Sequence, residues 1–388
     1  MVKVRQSSRQ LCLFLSCVCL ATLFHPISVS FLHDSMQITA STAPLIVFSP
    51  DSGLGNNMIA LVSSKFLAGI LQSPFAIVWE RDSTLSCQAA YTDIFTDSGH
   101  NLPELRMRER CLRLCDLDLT HFGSKECWNM INCDSEDQLA DNFKDCSCVR
   151  IRSNQYFLEP LARRFAQTKP FSFYAGELFQ PAASLAEQVM RTRESWKSEF
   201  NISHVIGVHV RSAFYTAGIS DGHLIPQDDV FKKYFWPCVH SISLNLEGER
   251  VGVFVAADTA KVRNEATEMI RSSNYVVMLP SPISDIPNDT AIGPMRKKQE
   301  VLDAATELFL LQTSDSIVVK RVKRFDSTFS AVAVALSLCE SRGACYIVGE
   351  HNCERTTEPV SPDLHHTVES NCDEPNLVDV DRDCLPKT

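Results

Sequence analysis

A short β-branched run that ends in a histidine and an arginine constrains the fold of this 388-residue chain more than any other feature. The segment from Val205 to Arg211 is a short β-branched run with a histidine and an arginine at its end, which is typical of a strand buried on both faces of a parallel sheet. Open α/β sheets bind ligands at the carboxyl edge, where His209 and Arg211 lie. Arg211 can fork two hydrogen bonds onto a phosphate, and His209 lies on the same strand face. The alternative is a core strand that ends in an ordinary surface arginine.

A second candidate site lies far upstream, where the strand Pro44 to Phe48 leads into a glycine turn. The turn, Gly53 to Asn57, is followed by apolar residues at helical spacing. Gly55 lets the backbone approach a ligand closely, and the helix start with Asn56 beside it favours an anionic or sugar group. The turn lacks the third glycine of the dinucleotide fingerprint, so by itself it is a weak signal.

Strands alternate with helices beyond Val205, which predicts a parallel sheet with right-handed crossovers. The predicted strands are 251–256, 275–279, 316–319 and 345–348, and the helices between them are 261–271, 298–311 and 328–338. A helical bridge, Phe171 to Phe200, precedes the Val205 strand. With 45% hydrophobic residues, the chain is long enough to bury two cores, so we predict an α/β protein of two domains.

Cysteine usage indicates an oxidising compartment. Thirteen of the 16 cysteines lie beyond Cys19, and basic residues precede the apolar run from Leu11 to Phe24. This pattern predicts an exported, disulfide-bonded protein, and the odd count leaves at least one luminal thiol unpaired or bridged between chains. The glycosylation sequons at Asn201 and Asn288 fit a luminal location.

The N-terminal segment fits two interpretations. The apolar run has the length of a signal peptide, and Ser28 to Ser30 is a passable cleavage site. Extended to Leu32, the segment is just long enough to span a bilayer, and the basic residues before it would then leave the rest of the chain in the lumen.

Residues 83–150 lose the strand–helix periodicity and hold seven cysteines. A zinc site at Cys146 and Cys148 is disfavoured, because the usual spacing between ligands is longer and the compartment oxidises thiols. We predict a disulfide-stapled insertion that recognises the acceptor. From Glu350 the chain has ten acids against three bases and three more cysteines, which predicts a stapled lid or strap.

Four segments, in order, resemble the signature segments of the inverting GT-B fucosyltransferases: Gly53 to Met58, Gly207 to Arg211, Val253 to Asp258 and Asp326 to Ser330. That superfamily includes the α1,6- and α1,2-fucosyltransferases, the plant xyloglucan fucosyltransferases and the protein O-fucosyltransferases. The resemblance covers Pro44 to Ala335, and within it the segment Ala304 to Ser330 is closest to the plant-type branch. It implies two Rossmann-like domains facing across a cleft, GDP-fucose as donor substrate, no cofactor and no metal ion.

The residue types at these segments suit a sugar nucleotide. Lys320 to Arg324 precede the Ser-Thr-Phe turn at a helix start, which combines cations, hydroxyl groups and helix amides for a pyrophosphate. A solvated basic loop is the alternative. Asp258 ends a strand and is suited to accept hydrogen bonds from a guanine edge, whereas its alternative role is a helix N-cap.

The resemblance assigns roles to individual residues. It implies donor binding by Gly55, Asn56, His209, Arg211, Asp258, Ser327, Thr328 and Phe329. Arg211 matches the phosphate-binding arginine of the His-x-Arg motif, and Ser212 and Phe214 replace the second arginine and the aspartate of its longer form. Arg211, Asn56 and Asp221 are predicted to be catalytic, with Asp221 in a glycine-flanked loop as the base. A plain Asp-Gly turn is the alternative for Asp221.

The sequence therefore predicts a glycosyltransferase that transfers fucose from GDP-fucose to a glycan or glycoprotein acceptor with inversion. The alternatives are another nucleotide-sugar transferase on the same fold and a secreted carbohydrate-binding protein without turnover. The net charge of −10 argues against a nucleic-acid partner. The expected location is the Golgi membrane, facing the lumen and attached through the N-terminal segment if this is uncleaved, with the endoplasmic reticulum lumen or secretion as alternatives.

The predicted divisions follow from these assignments. They are a cytoplasmic tail (1–10), a signal-anchor or signal peptide (11–32), a short stem (33–43), an acceptor-side Rossmann-like domain with the Cys-rich insertion (44–195), a GDP-sugar-binding domain (196–349) and an acidic stapled tail (350–388).

Overall fold

The computed structural model describes residues 43–81, 88–119, 129–131, 133, 135–153, 171–211, 229–283, 297–320, 328–337, 344–348 and 353–356. All of them belong to one compact unit that begins at Thr42. The predicted signal-anchor or signal peptide lies outside the described residues, as do Asp221, Asn288 and Ser327. Among the described helices, none has the length and apolar character needed to cross a membrane.

The N-terminal half is built on a four-stranded sheet in which every neighbouring pair is parallel. Its strands are β1 (Leu45–Ser49), β2 (Phe75–Ile77), β3 (Leu114–Leu119) and β4 (Cys148–Ser153), in the order β2-β1-β4-β3. The helices are α1 (Leu54–Ile70), α2 (Tyr91–Ile94), α3 (Glu104–Arg110) and α4 (Glu136–Phe143). The first four residues of β1 are apolar and buried, and β1 lies between β2 and β4, as a central parallel strand requires.

Two disulfides confirm that the Cys-rich segment is stapled. They join Cys111 to Cys148 and Cys115 to Cys146. The zinc alternative for Cys146 and Cys148 is therefore wrong, because both sulfurs are bonded to other cysteines.

The Cys-rich segment was predicted to be irregular, but it supplies two regular strands, β3 and β4. In β3, residues 115, 117 and 119 are buried and alternate with half-buried residues, so the strand has the usual period of two. Its polar positions pair with the next strand: Asp116 accepts from Arg150, and Asp118 lies against Arg152. The period is present in the sequence, because Asp116 and Asp118 alternate with the buried residues, but it lies among the cysteines of the segment that was predicted to be irregular.

Two helices form the predicted helical bridge between the halves. They are α5 (Phe171–Leu178) and α6 (Ala183–Phe200), separated by a break that contains Pro181. α6 buries Leu185, Val189 and Trp196 on one face. It ends at Asn201, which has a φ of 52°, a left-handed conformation that asparagine adopts more readily than most residues.

The C-terminal half is built on a six-stranded sheet in the order β10-β9-β8-β5-β6-β7. Its strands are β5 (His204–Val210), β6 (Val251–Ala257), β7 (Val276–Met278), β8 (Ser316–Lys320), β9 (Ala344–Val348) and β10 (Cys353–Thr356). The helices are α7 (Trp236–Leu244), which a π-helical turn precedes, α8 (Ala260–Arg271), α9 (Lys298–Gln312) and α10 (Thr328–Leu336). The predicted strand–helix alternation is observed, whereas α7 and the antiparallel edge strand β10 were not predicted.

Close packing at β5 depends on a glycine. A Cβ atom at Gly207 would lie 2.5 Å from Ser314 Oγ, just after α9. The absence of a side chain therefore lets the end of α9 approach the central strand.

One hydrophobic core extends through both halves. It includes Phe48 and Phe66 from the N-terminal half and Phe254, Phe309 and Val332 from the C-terminal half. Helices α9 and α10 pack against α1. The predicted boundary between residues 195 and 196 lies within α6, and the domain limits remain predictions.

Candidate functional site

The carboxyl ends of β5 and β6 bring three predicted site residues together. His209 lies opposite Ala256 in the parallel register, so Arg211 and Asp258 both follow the strand ends at the same edge. The Asp258 amide donates to Val210 O at 3.4 Å. Neighbouring parallel strands thus place an imidazole, a guanidinium and a carboxylate side by side.

The start of α10 covers the end of β5. His209 Nδ1 lies 2.5 Å from Ser330 Oγ, and the His209 ring centroid lies 4.9 Å from that of Phe329. His209 and Ser330 are both buried. Two of the predicted donor-binding residues, His209 and Phe329, therefore lie next to each other. Ser330 was not among the predicted site residues, although it closes the segment that carries the resemblance.

Burial determines the charge state of His209. Loss of hydration lowers the pKa of His209 to about 4; Asp258 opposes this shift and Arg211 adds to it. His209 is therefore neutral at pH 7, with one ring nitrogen a donor and the other an acceptor. A neutral imidazole can hydrogen-bond a ligand without competing with Arg211 for an anion.

Asp258 does not cap the helix that follows it. The N-cap of α8 is Thr259, whose hydroxyl accepts from the Val262 amide at 3.4 Å. The alternative role of Asp258 as N-cap is therefore wrong, because Thr259 takes this position.

The glycine turn is held by Asn57, which was not among the predicted site residues. Asn57 is fully buried, and its Oδ1 accepts from the Asp51 and Ser52 amides at 3.1 and 3.0 Å. Its Nδ2 donates to Ser52 O at 2.6 Å. The predicted site residue Asn56 is half-buried, and its Nδ2 donates to Ser52 Oγ at 3.0 Å. Asn57 therefore shapes the turn that presents Asn56; the doubled asparagine was its only sequence signal.

A second group of charges lies at the carboxyl edge of the N-terminal sheet. Burial raises the pKa of Asp51, which follows β1; Arg152 opposes this shift and Asp118 adds to it. Arg152 Nη2 lies 3.4 Å from Asp118 Oδ2. These residues were not predicted as functional, because they converge from three separate strands.

The remaining predicted residues are placed only in part. Gly55 lies buried in the first turn of α1, which packs against α10. Thr328 begins α10. Lys320 Nζ lies 3.6 Å from the ring centroid of Tyr234, so this end of the basic segment packs on an aromatic ring rather than in a solvated loop. The site assignments themselves remain predictions.

Comparisons with known proteins give matches among solved structures alone. No protein-family model matches the chain, and neither does any curated protein sequence. The fold is similar to that of a point mutant of Arabidopsis thaliana FUT1 in complex with GDP, with a TM-score of 0.56 and 17% identity over 82% of this chain and 75% of that one.

Two further fucosyltransferases match less well. Bradyrhizobium NodZ gives a TM-score of 0.49 at 13% identity, covering 81% of this chain and 99% of that one. POFUT1 in complex with GDP gives 0.41 at 13% identity, covering 76% and 94%. Scores below 0.5 do not establish a shared fold, whereas the FUT1 match does. The chain therefore shares the fold of FUT1, and the predicted fold class, an α/β protein of the GT-B type, is confirmed.

Proposed function

We propose that the chain is an inverting fucosyltransferase that uses GDP-fucose and a glycan or glycoprotein acceptor. The observation that carries this proposal is the group formed by Arg211, neutral His209 and Asp258 at one sheet edge, below the start of α10. The same fold occurs in FUT1, which has been solved in complex with GDP.

In the proposed donor site each of these groups binds a different part of GDP-fucose. The Asp258 carboxylate accepts hydrogen bonds from the guanine edge. His209 contributes a neutral hydrogen-bonding nitrogen, while Phe329 provides apolar contact. Arg211 binds the pyrophosphate with two parallel hydrogen bonds, and the amide groups at the start of α10 add positive potential.

In the proposed reaction an acceptor hydroxyl oxygen attacks the anomeric carbon of fucose from the side opposite GDP. As the new C–O bond forms, the bond to the β-phosphate oxygen breaks and its electron pair remains with GDP. Arg211 stabilises the negative charge that develops there. The acceptor proton passes to a base, for which Asp221 is our candidate, and Asn56 orients the acceptor.

We place this reaction in the Golgi lumen, with the N-terminal segment as anchor. The disulfides support an oxidising compartment, because such bonds are rare in the cytosol. The reaction as written requires neither a metal ion nor a resident cofactor.

A donor and acceptor screen tests the proposal. The full-length chain, produced in a secretory host, is assayed on a glycan array with GDP-fucose, GDP-mannose and UDP-galactose, and GDP binding is measured by calorimetry. We expect GDP binding and transfer from GDP-fucose. Transfer from another donor would favour a different nucleotide-sugar transferase. Glycan binding without GDP binding would favour the non-catalytic alternative and overturn the proposal.

A further inference from the structure

We propose that a groove with one polar and one mostly apolar wall, beside the donor site, binds a neutral oligosaccharide portion of the acceptor, remote from the sugar that receives fucose. This inference rests on the proposed function and extends it to the acceptor. The groove, called here the α6 groove, lies between α6 and the loop Pro280–Pro282 that follows β7, and it has a volume of about 660 Å³. That size is within the range of small-molecule sites.

One wall of the groove is a polar stripe on α6. Ser184, Gln188, Thr192 and Ser195 recur at helical spacing and share one face, whereas Leu185, Val189 and Trp196 enter the core. At about 1.5 Å per residue the stripe is about 17 Å long. A polar helix face is ordinarily just solvated, but here a second wall stands opposite and makes the surface concave.

The stripe offers both donors and acceptors of hydrogen bonds. Gln188 Oε1 lies 3.5 Å from Thr306 Oγ1, and across the described parts of the chain the Gln188 Nε2 group donates to no protein acceptor. Thr192 Oγ1 donates to Gln188 O at 2.9 Å, and Ser195 Oγ donates to Glu199 at 2.6 Å. Both hydroxyl oxygens keep lone pairs for a ligand. Mixed donors and acceptors of this kind suit the hydroxyl groups of a sugar.

The opposite wall is mostly apolar. The rings of Pro280 and Pro282 present hydrocarbon to the C–H faces of a sugar, and Ser281 lies between them, its Oγ accepting from the Ile283 amide at 3.2 Å. Trp196 Nε1 donates to Pro280 O at 3.0 Å, and Arg263 Nη1 donates to Ile283 O at 3.1 Å. The loop is thus held at both ends, which lowers the entropy lost when a ligand binds.

The charge of the groove indicates a neutral ligand. Arg191 contributes a cation to the lining, but its Nη2 lies 3.6 Å from Glu187 Oε1. A nucleotide diphosphate or an acidic peptide would need unbalanced positive charge, which the described lining does not offer. A neutral oligosaccharide needs none.

The α6 groove lies at the same sheet edge as the donor site. β7 is two strands from β5 in the parallel order β5-β6-β7, a separation of about 10 Å at the usual strand spacing. Arg263, which holds the loop at Ile283, lies in the first turn of α8, just after Asp258. An acceptor chain in the groove can therefore extend toward Arg211.

Oligosaccharide binding without donor tests this inference. The full-length chain is titrated with cellotetraose, mannotetraose and chitotetraose, with saturation-transfer NMR as the readout. The variants are Gln188→Leu, which removes the amide, and Ser184→Tyr, which fills the groove from an exposed position. Gln299→Leu is the matched control, because Gln299 is an exposed glutamine on α9 outside the groove.

We expect at least one tetrasaccharide to bind the wild type and the control, and both groove variants to weaken this binding at least tenfold without changing GDP affinity. In transfer assays KM for a long acceptor should rise about tenfold, while kcat stays within twofold. Equal binding by wild type and both variants, or no binding of any tetrasaccharide, overturns the groove assignment. If the wild type binds a tetrasaccharide but shows no GDP binding, the result would instead contradict the proposed function.

Discussion

The chemistry proposed for Arg211 depends on the shape of its guanidinium as well as on its charge. Lysine keeps the charge but loses the two parallel hydrogen bonds, and alanine loses both. We expect Arg211→Lys to lower kcat by about a hundredfold, about 3 kcal/mol of transition-state stabilisation, and Arg211→Ala to lower it further. GDP affinity should fall less, because charge on the β-phosphate grows in the transition state.

The measurement is kcat together with GDP binding for each Arg211 variant, with circular dichroism to confirm folding. Arg271→Ala is the control, because Arg271 lies exposed in the last turn of α8. If a folded Arg211→Ala protein kept wild-type turnover, β5 would have no role beyond the core. This result would contradict the fucosyltransferase proposal.

The buried state of His209 predicts a pH dependence of stability. Its pKa is about 4 in the folded chain against 6.5 when exposed. The unfolded chain therefore binds the proton first, and stability falls as pH drops from about 6.5 to about 4, by on the order of 3 kcal/mol. His209→Asn, which does not titrate, should lose this part of the slope. Urea denaturation of both proteins between pH 4 and pH 7 measures the difference; parallel curves would contradict a buried neutral imidazole.

At the scale of elements, a largely buried contact between a carboxyl group and a guanidinium joins α8 to α9. Glu307 contacts Arg263, and burial raises the pKa of Glu307 to about 7, with Arg263 opposing this shift. The folded chain keeps a proton that the unfolded chain releases near pH 4.5, so stability falls as pH rises from about 4.5 to about 7.

Glu307→Gln tests this pair. The free energy of unfolding of the wild type, relative to the variant, should fall by on the order of 3 kcal/mol across that window and stay level above pH 7. Denaturation of both proteins at a series of pH values gives the difference. A relative stability that rises with pH would mean that attraction to Arg263 outweighs burial.

At the scale of the whole molecule, a disulfide joins two elements of the C-terminal half that are far apart in the sequence. Cys238 of α7 is bonded to Cys353 of β10, 115 residues away. A loop of this length restricts the unfolded chain strongly, so Cys238→Ala combined with Cys353→Ser should lower the free energy of unfolding by roughly 4 kcal/mol. Urea denaturation without reductant measures it. Unchanged stability would show that β10 contributes little to the fold.

Local patterns were enough to predict the parallel strands of the C-terminal sheet. β-branched runs such as Val205 to Val210 are stable in few environments other than a buried strand. The helices between them are predicted by the helical spacing of their apolar residues. β3 was missed although its buried residues alternate with Asp116 and Asp118, because the cysteines around it indicated an irregular, disulfide-stapled segment. The edge strand β10 was missed because its pairing with β9 and its bond to Cys238 depend on tertiary contacts.

Some features of the candidate site could likewise be predicted from the sequence, and others could not. The sequence alone determined that His209, Arg211 and Asp258 would meet, because the carboxyl ends of neighbouring parallel strands share one edge. Only the tertiary structure decided that Ser330 bonds to His209 across 121 residues and that α6 faces the Pro280 loop to form a groove. The shared carboxyl edge of parallel strands follows from local periodicity and the helical connections between them. Strand order and contacts between distant segments depend instead on how whole helices pack, which no short window of sequence contains.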